Sequence, residues 1–163
     1  MKLTHYLGVP GCGKTTLMRG KIKALEANEP GENVQEGLVR YHKFENQKTI
    51  VLGVYDDSTF AGTDKLSKGV GPKFRQWLLD NAEKYAGWEV LSEGERLSNN
   101  PTLDAMFATG NMNLVLVQVS EEELERRRAA RNNTQNESWM KGMCTRISNL
   151  CAKYEHTVLN VEP

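Results

Sequence analysis

The chain has 163 residues, and its 21 Lys and Arg residues balance 21 Asp and Glu residues, so the formal net charge is zero. This length suits one compact α/β domain, residues 1–163, and excludes the appended modules of a motor, a transporter ATPase or a helicase. Neutrality excludes a global field that would attract a nucleic acid or a membrane, so such a contact needs a local patch. No apolar stretch reaches the ~20 residues of a membrane span, and three cysteines without metal-ligand spacing fit a reducing compartment. We therefore expect a cytoplasmic protein without a membrane partner.

The first predicted elements are a strand, Lys2 to Leu7, and a helix, Lys14 to Ala27, joined by a glycine-rich loop. The loop reads Gly8-Val9-Pro10-Gly11-Cys12-Gly13-Lys14-Thr15 and matches the pattern G-x-x-x-x-G-K-(S/T) in full. In this position, such a loop wraps its backbone N–H groups around the β- and γ-phosphates of a nucleotide, and the positive end of the helix adds to the attraction. The chain is therefore expected to bind ATP or GTP.

Two side chains of this loop are expected to carry chemistry. Lys14 would reach the β/γ-phosphate oxygens, and Thr15 would place its hydroxyl on Mg²⁺. Cys12 and Cys144 are expected to be small buried residues rather than ligands. The whole predicted nucleotide site is Gly8, Pro10, Gly11, Cys12, Gly13, Lys14, Thr15 and Thr16.

Strands and helices alternate along the rest of the chain. A turn-rich stretch, 28–37, precedes two strands, 38–44 and 49–55, that are able to pair as a hairpin. Further helices are predicted at 72–85, 101–108, 124–131 and 138–154, and further strands at 88–92, 114–119 and 157–161. Ser120 and Glu123 form a capping box before the third of these helices. This order predicts a three-layer fold, with a mainly parallel sheet and helices on both faces.

An acidic turn, Glu93-Gly94-Glu95-Arg96, follows the strand 88–92. The carboxyl end of a strand beside a phosphate loop is where such proteins hold Mg²⁺ or its water shell. Glu93 is the preferred metal residue, because the apolar run ends there, and Glu95 is the second choice. The alternative is that both carboxylates are merely solvated residues at the end of a strand.

The segment from Asp56 to Ser67, here called the acceptor segment, follows the strand 49–55 at the same edge of the sheet. A kinase that phosphorylates a hydroxyl benefits from a carboxylate that orients the attacking oxygen and accepts its proton. Asp56, Asp57 and Asp64 are the candidates, and Asp57 is preferred; the alternative is that they only shape turns. The residues expected to bind the acceptor are Asp56, Thr59, Phe60, Thr63, Asp64, Lys65, Ser67 and, from the acidic turn, Arg96, with Phe60 offering a face on which a base can stack.

Four arginines lie on the predicted helix 124–131: Arg126, Arg127, Arg128 and Arg131. Arg127 and Arg131 share a helix face, as do Arg128 and Arg131. Because guanidinium groups stabilise the charge of a phosphoryl group in transfer, Arg127 and Arg131 are predicted catalytic residues. Arg126 is expected on a solvated face. The polar stretch 132–138 is expected to be the tip of a short lid that excludes water during transfer.

Together these motifs resemble the small P-loop kinases, the family of nucleoside, nucleotide and polynucleotide kinases, from the loop at Gly8 to the lid near Arg131. A closer similarity is to the bacteriophage P-loop kinases of DNA hypermodification, which phosphorylate the hydroxymethyl group of 5-hydroxymethyluracil within DNA. It is carried by Tyr55-Asp56-Asp57, by residues 60–67 and by the acidic turn. The resemblance implies ATP, Mg²⁺, a thymine-like base with a primary alcohol, a DNA acceptor and the cytoplasm of a host cell.

Neutral charge departs from this pattern, because proteins that hold duplex DNA usually carry a basic footprint. A local basic cluster does follow the acceptor segment: Lys65, Lys68, Lys73 and Arg75, with Lys141 and Arg146 beyond the lid. A base within a duplex would also have to be turned out of the stack. The alternatives are a kinase of free nucleosides or nucleoside monophosphates, and a nucleotide-dependent switch or assembly ATPase.

Overall fold

The computed structural model describes residues 1–57, 61–130 and 137–161. Along the chain the elements are β1 (Lys2–Leu7), α1 (Lys14–Glu26), β2 (Glu32–Glu36), β3 (Val39–Phe44), β4 (Thr49–Leu52), a short 3₁₀ helix (Thr63–Lys65), α2 (Val70–Asn81), β5 (Glu89–Glu93), α3 (Asn100–Ala108), β6 (Met112–Gln118), α4 (Glu121–Ala130), α5 (Glu137–Lys153) and β7 (Thr157–Asn160). Every helix in these ranges is too short or too polar to span a lipid bilayer.

The strands form one seven-stranded sheet in the order β2-β3-β4-β5-β1-β6-β7. The pairs β4–β5, β5–β1, β1–β6 and β6–β7 are parallel, whereas β2–β3 and β3–β4 are antiparallel. The prediction of a mainly parallel sheet is confirmed, and so is the hairpin of β3 and β4 across residues 45–48. The antiparallel part is confined to one edge.

Alternate residues of the central strands feed two separate cores, because successive side chains of a strand point to opposite faces. Leu3 and Leu7 of β1 lie on one face, and Tyr6 lies on the other. The first face packs against α2, α3 and α5 through Phe74, Trp77, Leu103, Met106, Ile147 and Leu150, and the second packs against α1 through Met18 and Ile22. Helices therefore cover both faces of the sheet, as predicted.

The first hairpin was missed by the sequence pattern. The predicted turn-rich stretch 28–37 contains β2, which pairs with β3 across a two-residue turn whose Gly37 has φ +61°. β2 is a polar edge strand without a buried face, so no apolar alternation marks it. The predicted strand 49–55 ends early, at Leu52, because Gly53 (φ +104°) redirects the chain into the acceptor segment.

The parallel strands bring three functional segments to one edge of the sheet. β1, β5 and β6 run in the same direction and end at Leu7, Glu93 and Gln118. The glycine-rich loop therefore lies between the acidic turn that follows β5 and the arginine helix α4 that follows β6. The carboxyl edge of an open parallel sheet is where such folds bind ligands.

Candidate functional site

The glycine-rich loop has a conformation that a phosphate group fits. Gly13 has φ +108° at the start of α1, and the helix begins at Lys14 without a side-chain cap. The uncapped N–H groups of this first turn are hydrogen-bond donors for an anion. The loop is also tightly packed from behind, because a Cβ at Gly8 would lie 2.6 Å from the Cys12 Sγ atom and 2.8 Å from the Val117 carbonyl oxygen.

The Lys14 ammonium is bound by the backbone of this loop. Its Nζ atom donates to the carbonyl oxygens of Gly8 at 2.5 Å and Val9 at 3.2 Å. Cys12 is buried beneath it, as expected, whereas Cys144 is exposed on α5, so the prediction of a buried Cys144 is wrong. Pro10 lies in the same loop, and Thr16 lies in the first turn of α1.

Glu93 is a buried carboxylate beside the loop. It is the last residue of β5, it is 2% exposed, and its Oε1 atom accepts hydrogen bonds from Thr15 at 3.1 Å and from the Tyr55 hydroxyl at 3.0 Å. Burial raises the pKa of Glu93 above its ordinary value, and the charge of Lys14 opposes that shift. Burial, aided by the Glu93 charge, also raises the pKa of Tyr55, which keeps its proton and donates it.

Thr15 and Glu93, the two predicted metal residues, are thus direct neighbours. A hydroxyl and a carboxylate oxygen are the hard oxygen donors that Mg²⁺ takes alongside water and substrate phosphates. The residues present therefore fit a magnesium ion bound to nucleotide, with Thr15 and Glu93 as the residues that would hold it. Tyr55 was not among the predicted site residues, since a lone tyrosine after a strand has no pattern that points to a carboxylate.

The acceptor segment packs directly on the acidic turn. The Thr63 hydroxyl donates to the Glu93 carbonyl oxygen at 2.6 Å, and Asp64 Oδ1 accepts from the backbone N–H groups of Glu95 at 2.7 Å and Arg96 at 3.2 Å. Gly94 (φ +114°) permits this approach, because a Cβ there would lie 2.7 Å from the Thr63 Oγ1 atom. The structure therefore joins Thr63 and Asp64 of the acceptor segment to the turn that carries Glu93.

The three candidate aspartates occupy different environments. Asp56 forms an ion pair with Lys65, and its carbonyl oxygen accepts from Arg19 at 2.7 Å. Asp64 is half-buried and holds the acidic turn, whereas Asp57 is exposed. The predicted acceptor residues Thr59 and Phe60 lie outside the described residues.

A basic side chain from α5 completes the acidic turn. Arg146 donates to the Ser98 carbonyl oxygen at 2.6 Å, and its Nη1 atom lies 3.5 Å from Glu95 Oε2. Burial raises the pKa of Glu95, and the charges of Lys14 and Arg146 act against that shift. Arg96 donates from Nε to the Leu66 carbonyl oxygen at 3.3 Å, so it too links the turn to the acceptor segment.

The arginines of α4 differ in their partners and in their exposure. Arg127 donates to the Cys12 carbonyl oxygen at 3.1 Å and to Glu123 Oε1 at 2.8 Å, so it fastens α4 to the loop. Arg126 pairs with the same carboxylate from an exposed position, and the two arginines hold the pKa of Glu123 at about 2. The predicted capping box is thus only half formed: Ser120 Oγ accepts from the Glu123 N–H at 3.2 Å, but the Glu123 carboxylate binds arginine. Arg131 lies outside the described residues.

Arg128 was not among the predicted catalytic arginines, but it lies beside the loop. Its Nε and Nη2 atoms are buried and find no hydrogen-bond acceptor within residues 1–57, 61–130 and 137–161. Its Cγ atom lies 3.9 Å from the point that a Gly11 Cβ would occupy, so the side chain passes beside the loop. A buried donor without an acceptor is costly, and a phosphate oxygen at the loop is an acceptor of the required charge.

The comparison with known families agrees with this geometry. The family model described as P-loop Nucleotide Kinase3 matches residues 1–161, which include the loop, the acidic turn and α4. No curated protein matches the chain.

We predict that Arg128→Met, which keeps the apolar stem and removes the guanidinium, weakens ATP binding by ~10-fold or more, the scale of one lost charge-assisted hydrogen bond. Arg126→Met is the matched control, because Arg126 is 67% exposed and Glu123 keeps Arg127 as a partner; its effect is expected to stay under ~2-fold. Titration calorimetry with ATP measures both affinities. Equal affinities in the two variants would show that Arg128 does not face the phosphates.

Proposed function

The chain belongs to the P-loop nucleotide kinase family whose model spans it, and from this premise we propose that it phosphorylates the hydroxymethyl group of 5-hydroxymethyluracil in phage DNA, using ATP. Membership makes it a nucleotide-dependent phosphotransferase; the acceptor is the proposed part. One observation supports transfer to an acceptor at this edge of the sheet: a single carboxylate, Glu93, accepts hydrogen bonds from Thr15 of the phosphate loop and from Tyr55, the residue directly before the acceptor segment. The γ-phosphate of ATP and the alcohol that receives it would therefore meet beside Glu93.

Lys14, Arg127, Arg128 and Arg131 are assigned to the phosphates. In the proposed reaction, the alcohol oxygen of the base attacks the γ-phosphorus, a new O–P bond forms, and the bond from the γ-phosphorus to the bridging oxygen breaks to release ADP. Lys14 neutralises charge on the β- and γ-phosphates, and the guanidinium groups stabilise the transferred group. Thr15 and Glu93 would hold Mg²⁺, which would supply positive charge to the nucleotide phosphates.

Asp57 is assigned as the base that accepts the proton of the attacking alcohol. Among the three aspartates, Asp64 is tied to backbone N–H groups and Asp56 is paired with Lys65, whereas the Asp57 carboxylate is exposed at the edge of the sheet. A general base must come within hydrogen-bond distance of the proton that it removes, so an accessible carboxylate is favoured. Phe60 is assigned to stacking on the base, and Lys65 and Arg96 to the rest of the acceptor. Thr63 is fully buried against the Glu93 backbone and is assigned to the shape of the segment.

A kinase of free nucleosides or nucleoside monophosphates is the second candidate, and the charges of the site favour it. Several of the basic side chains near the acceptor segment have partners within the protein: Lys65 pairs with Asp56, Arg146 pairs with Glu95, and Arg75 donates to Thr102 at 3.4 Å. Lys68 and Lys73 are exposed, as is Lys65 beside its Asp56 partner, whereas Arg75 is half-buried. DNA binding would therefore rest on a small number of lysines.

The test of the acceptor is an assay with γ-labelled ATP and four acceptors: free nucleosides, nucleoside monophosphates, ordinary DNA, and DNA that contains 5-hydroxymethyluracil. Label in the modified DNA alone supports the proposal, whereas label in a nucleoside or mononucleotide supports the second candidate. Phosphate release without an acceptor supports a switch or assembly ATPase. Lys14→Ala is the control variant, and its transfer is expected to fall by ~10²-fold or more in a folded protein.

Two isosteric variants separate the metal residue from the base. Glu93→Gln is expected to raise the Mg²⁺ concentration needed for half-maximal rate, and added Mg²⁺ partly restores the rate, because the lesion is in metal coordination. Asp57→Asn is expected to reduce transfer by ~10²-fold or more while ATP affinity stays unchanged, because the phosphate site remains whole. Steady-state kinetics and ATP titration measure both effects. If Asp57→Asn loses ATP affinity and Glu93→Gln does not, the two roles are reversed.

The basic cluster gives a prediction about the size of the acceptor. If it neutralises DNA phosphates, DNA affinity falls with salt, with a log–log slope near −0.9 for each phosphate contact. Replacing Lys68 and Lys73 with Ala is expected to flatten that slope by roughly two units and to leave ATP affinity unchanged. DNA binding at several salt concentrations, for the parent and the double variant, is the measurement. Identical slopes would assign the two lysines to a solvated surface.

A further inference from the structure

We propose that His5 is a positioning residue, which fixes the direction of the Glu93 carboxylate by clamping the backbone on both sides of it. The inference rests on the proposed function in one respect, that Glu93 is the carboxylate of the magnesium site. His5 lies in the middle of β1 and is fully buried. Its register partner on the neighbouring strand is Ser92, the residue directly before Glu93.

The imidazole ring bridges two serines on either side of the acidic turn. Nδ1 lies 2.7 Å from the Ser92 hydroxyl, and Nε2 lies 2.8 Å from the Ser98 hydroxyl. The Ser98 hydroxyl in turn donates to the Gly94 carbonyl oxygen at 2.7 Å. One ring therefore links the residue before Glu93 to the residue after it.

The hydrogen-bond directions of this chain follow from counting protons. Ser98 has one hydroxyl proton and donates it to Gly94, so Ser98 accepts from His5 and Nε2 must carry a proton. Burial lowers the pKa of His5 to about 3, so the ring is neutral and Nδ1 has no proton. Nδ1 therefore accepts from the Ser92 hydroxyl. Each of the three donors in this series of hydrogen bonds, Ser92, His5 Nε2 and Ser98, then has an acceptor.

Packing alone does not require a histidine at this position. Leu3 and Leu7, which flank His5 on the same face of β1, are buried apolar residues of one core. An imidazole in that row must have both nitrogens satisfied, which makes it a demanding choice for a core position. The two partners that satisfy it, Ser92 and Ser98, flank the acidic turn, and Arg146 also binds the Ser98 carbonyl oxygen. Groups behind a metal ligand orient it and set its affinity.

The test uses a series of His5 variants that keep different parts of the clamp. Glutamine places a donor where Nε2 lies and keeps the bond to Ser98; asparagine reaches only the Ser92 side; leucine keeps neither. We expect the gain in ADP affinity on adding Mg²⁺ to fall by ~10-fold or more in His5→Leu and to stay within ~3-fold of the parent in His5→Gln, with His5→Asn between them. ADP affinity without Mg²⁺ is expected to be equal in all of them. Titration calorimetry gives these values without turnover.

Tyr85→Phe is the matched control. It removes a buried hydrogen bond between the Tyr41 and Tyr85 hydroxyls, 3.0 Å long, from the core between β3 and the end of α2. Its loss of stability is compared with that of the His5 variants by urea unfolding, and its Mg²⁺ response is expected to equal the parent's. An equal drop in Mg²⁺ response in Tyr85→Phe would show that general loss of stability explains the effect, and would overturn the proposal.

Two further outcomes are decisive. Imidazole ¹⁵N spectra are expected to show the Nε2–H tautomer in the parent, and an Nδ1–H tautomer would overturn the hydrogen-bond chain. Ser98→Ala removes only the Ser98 hydroxyl that joins His5 to Gly94, and it replaces His5→Leu if that variant does not fold.

If Glu93→Gln removes the Mg²⁺ response and the His5 and Ser98 variants keep it, the role of His5 fails alone. If Glu93→Gln also keeps the response, the magnesium site of the proposed function fails with it.

Discussion

The site depends on the burial of one carboxylate. Glu93 is 2% exposed, and a buried charge is tolerated only with partners that replace water. Those partners come from two parts of the chain: Thr15 and the nearby charge of Lys14 from the loop, and Tyr55 from the position directly before the acceptor segment. Movement of the loop would remove the Thr15 donor, and movement of the chain at Tyr55 would remove the other donor. Because a buried carboxylate that loses a hydrogen-bond donor is costly in free energy, Glu93 holds the loop and the chain at Tyr55 together.

Backbone geometry makes such close packing possible. Gly62 and Gly94 have φ values of +77° and +114°, and a Cβ at either position would collide with a group of the site. At Gly62 the colliding atoms are the Glu93 Oε1 atom and the Tyr55 hydroxyl; at Gly94 they are Thr63 and Asp64. These two glycines therefore set how closely the acceptor segment approaches the acidic turn. The parallel sheet supplies the direction, because β1 and β5 end at the same edge.

The parts of the site that sequence predicted are those with a local pattern. The loop is a contiguous motif, and Glu93 stands where a buried strand ends, so spacing alone is enough to predict both as candidates. Tyr55, His5 and Arg128 have no such pattern. The roles proposed for them rest on contacts between residues 38, 87 and 93 positions apart, or on burial that only the fold creates. β2 was missed for a related reason, since a polar edge strand carries no apolar alternation. Cys144 shows the opposite error: an apolar type on a helix was expected to be buried, and it faces solvent.

The ion pairs of the site account for part of the balance between positive and negative charges. Charges of both signs meet within the site: Asp56 with Lys65, Glu95 with Arg146, and Glu123 with Arg126 and Arg127. These pairs shape the site and contribute little field outside it, because the opposite charges cancel within a few ångströms. Arg128 has no such acceptor among the described residues. The proposed binding sites therefore depend on the position of the remaining charge rather than on its total: the anion site on Arg128 beside the loop, and the DNA contact on exposed lysines such as Lys68 and Lys73.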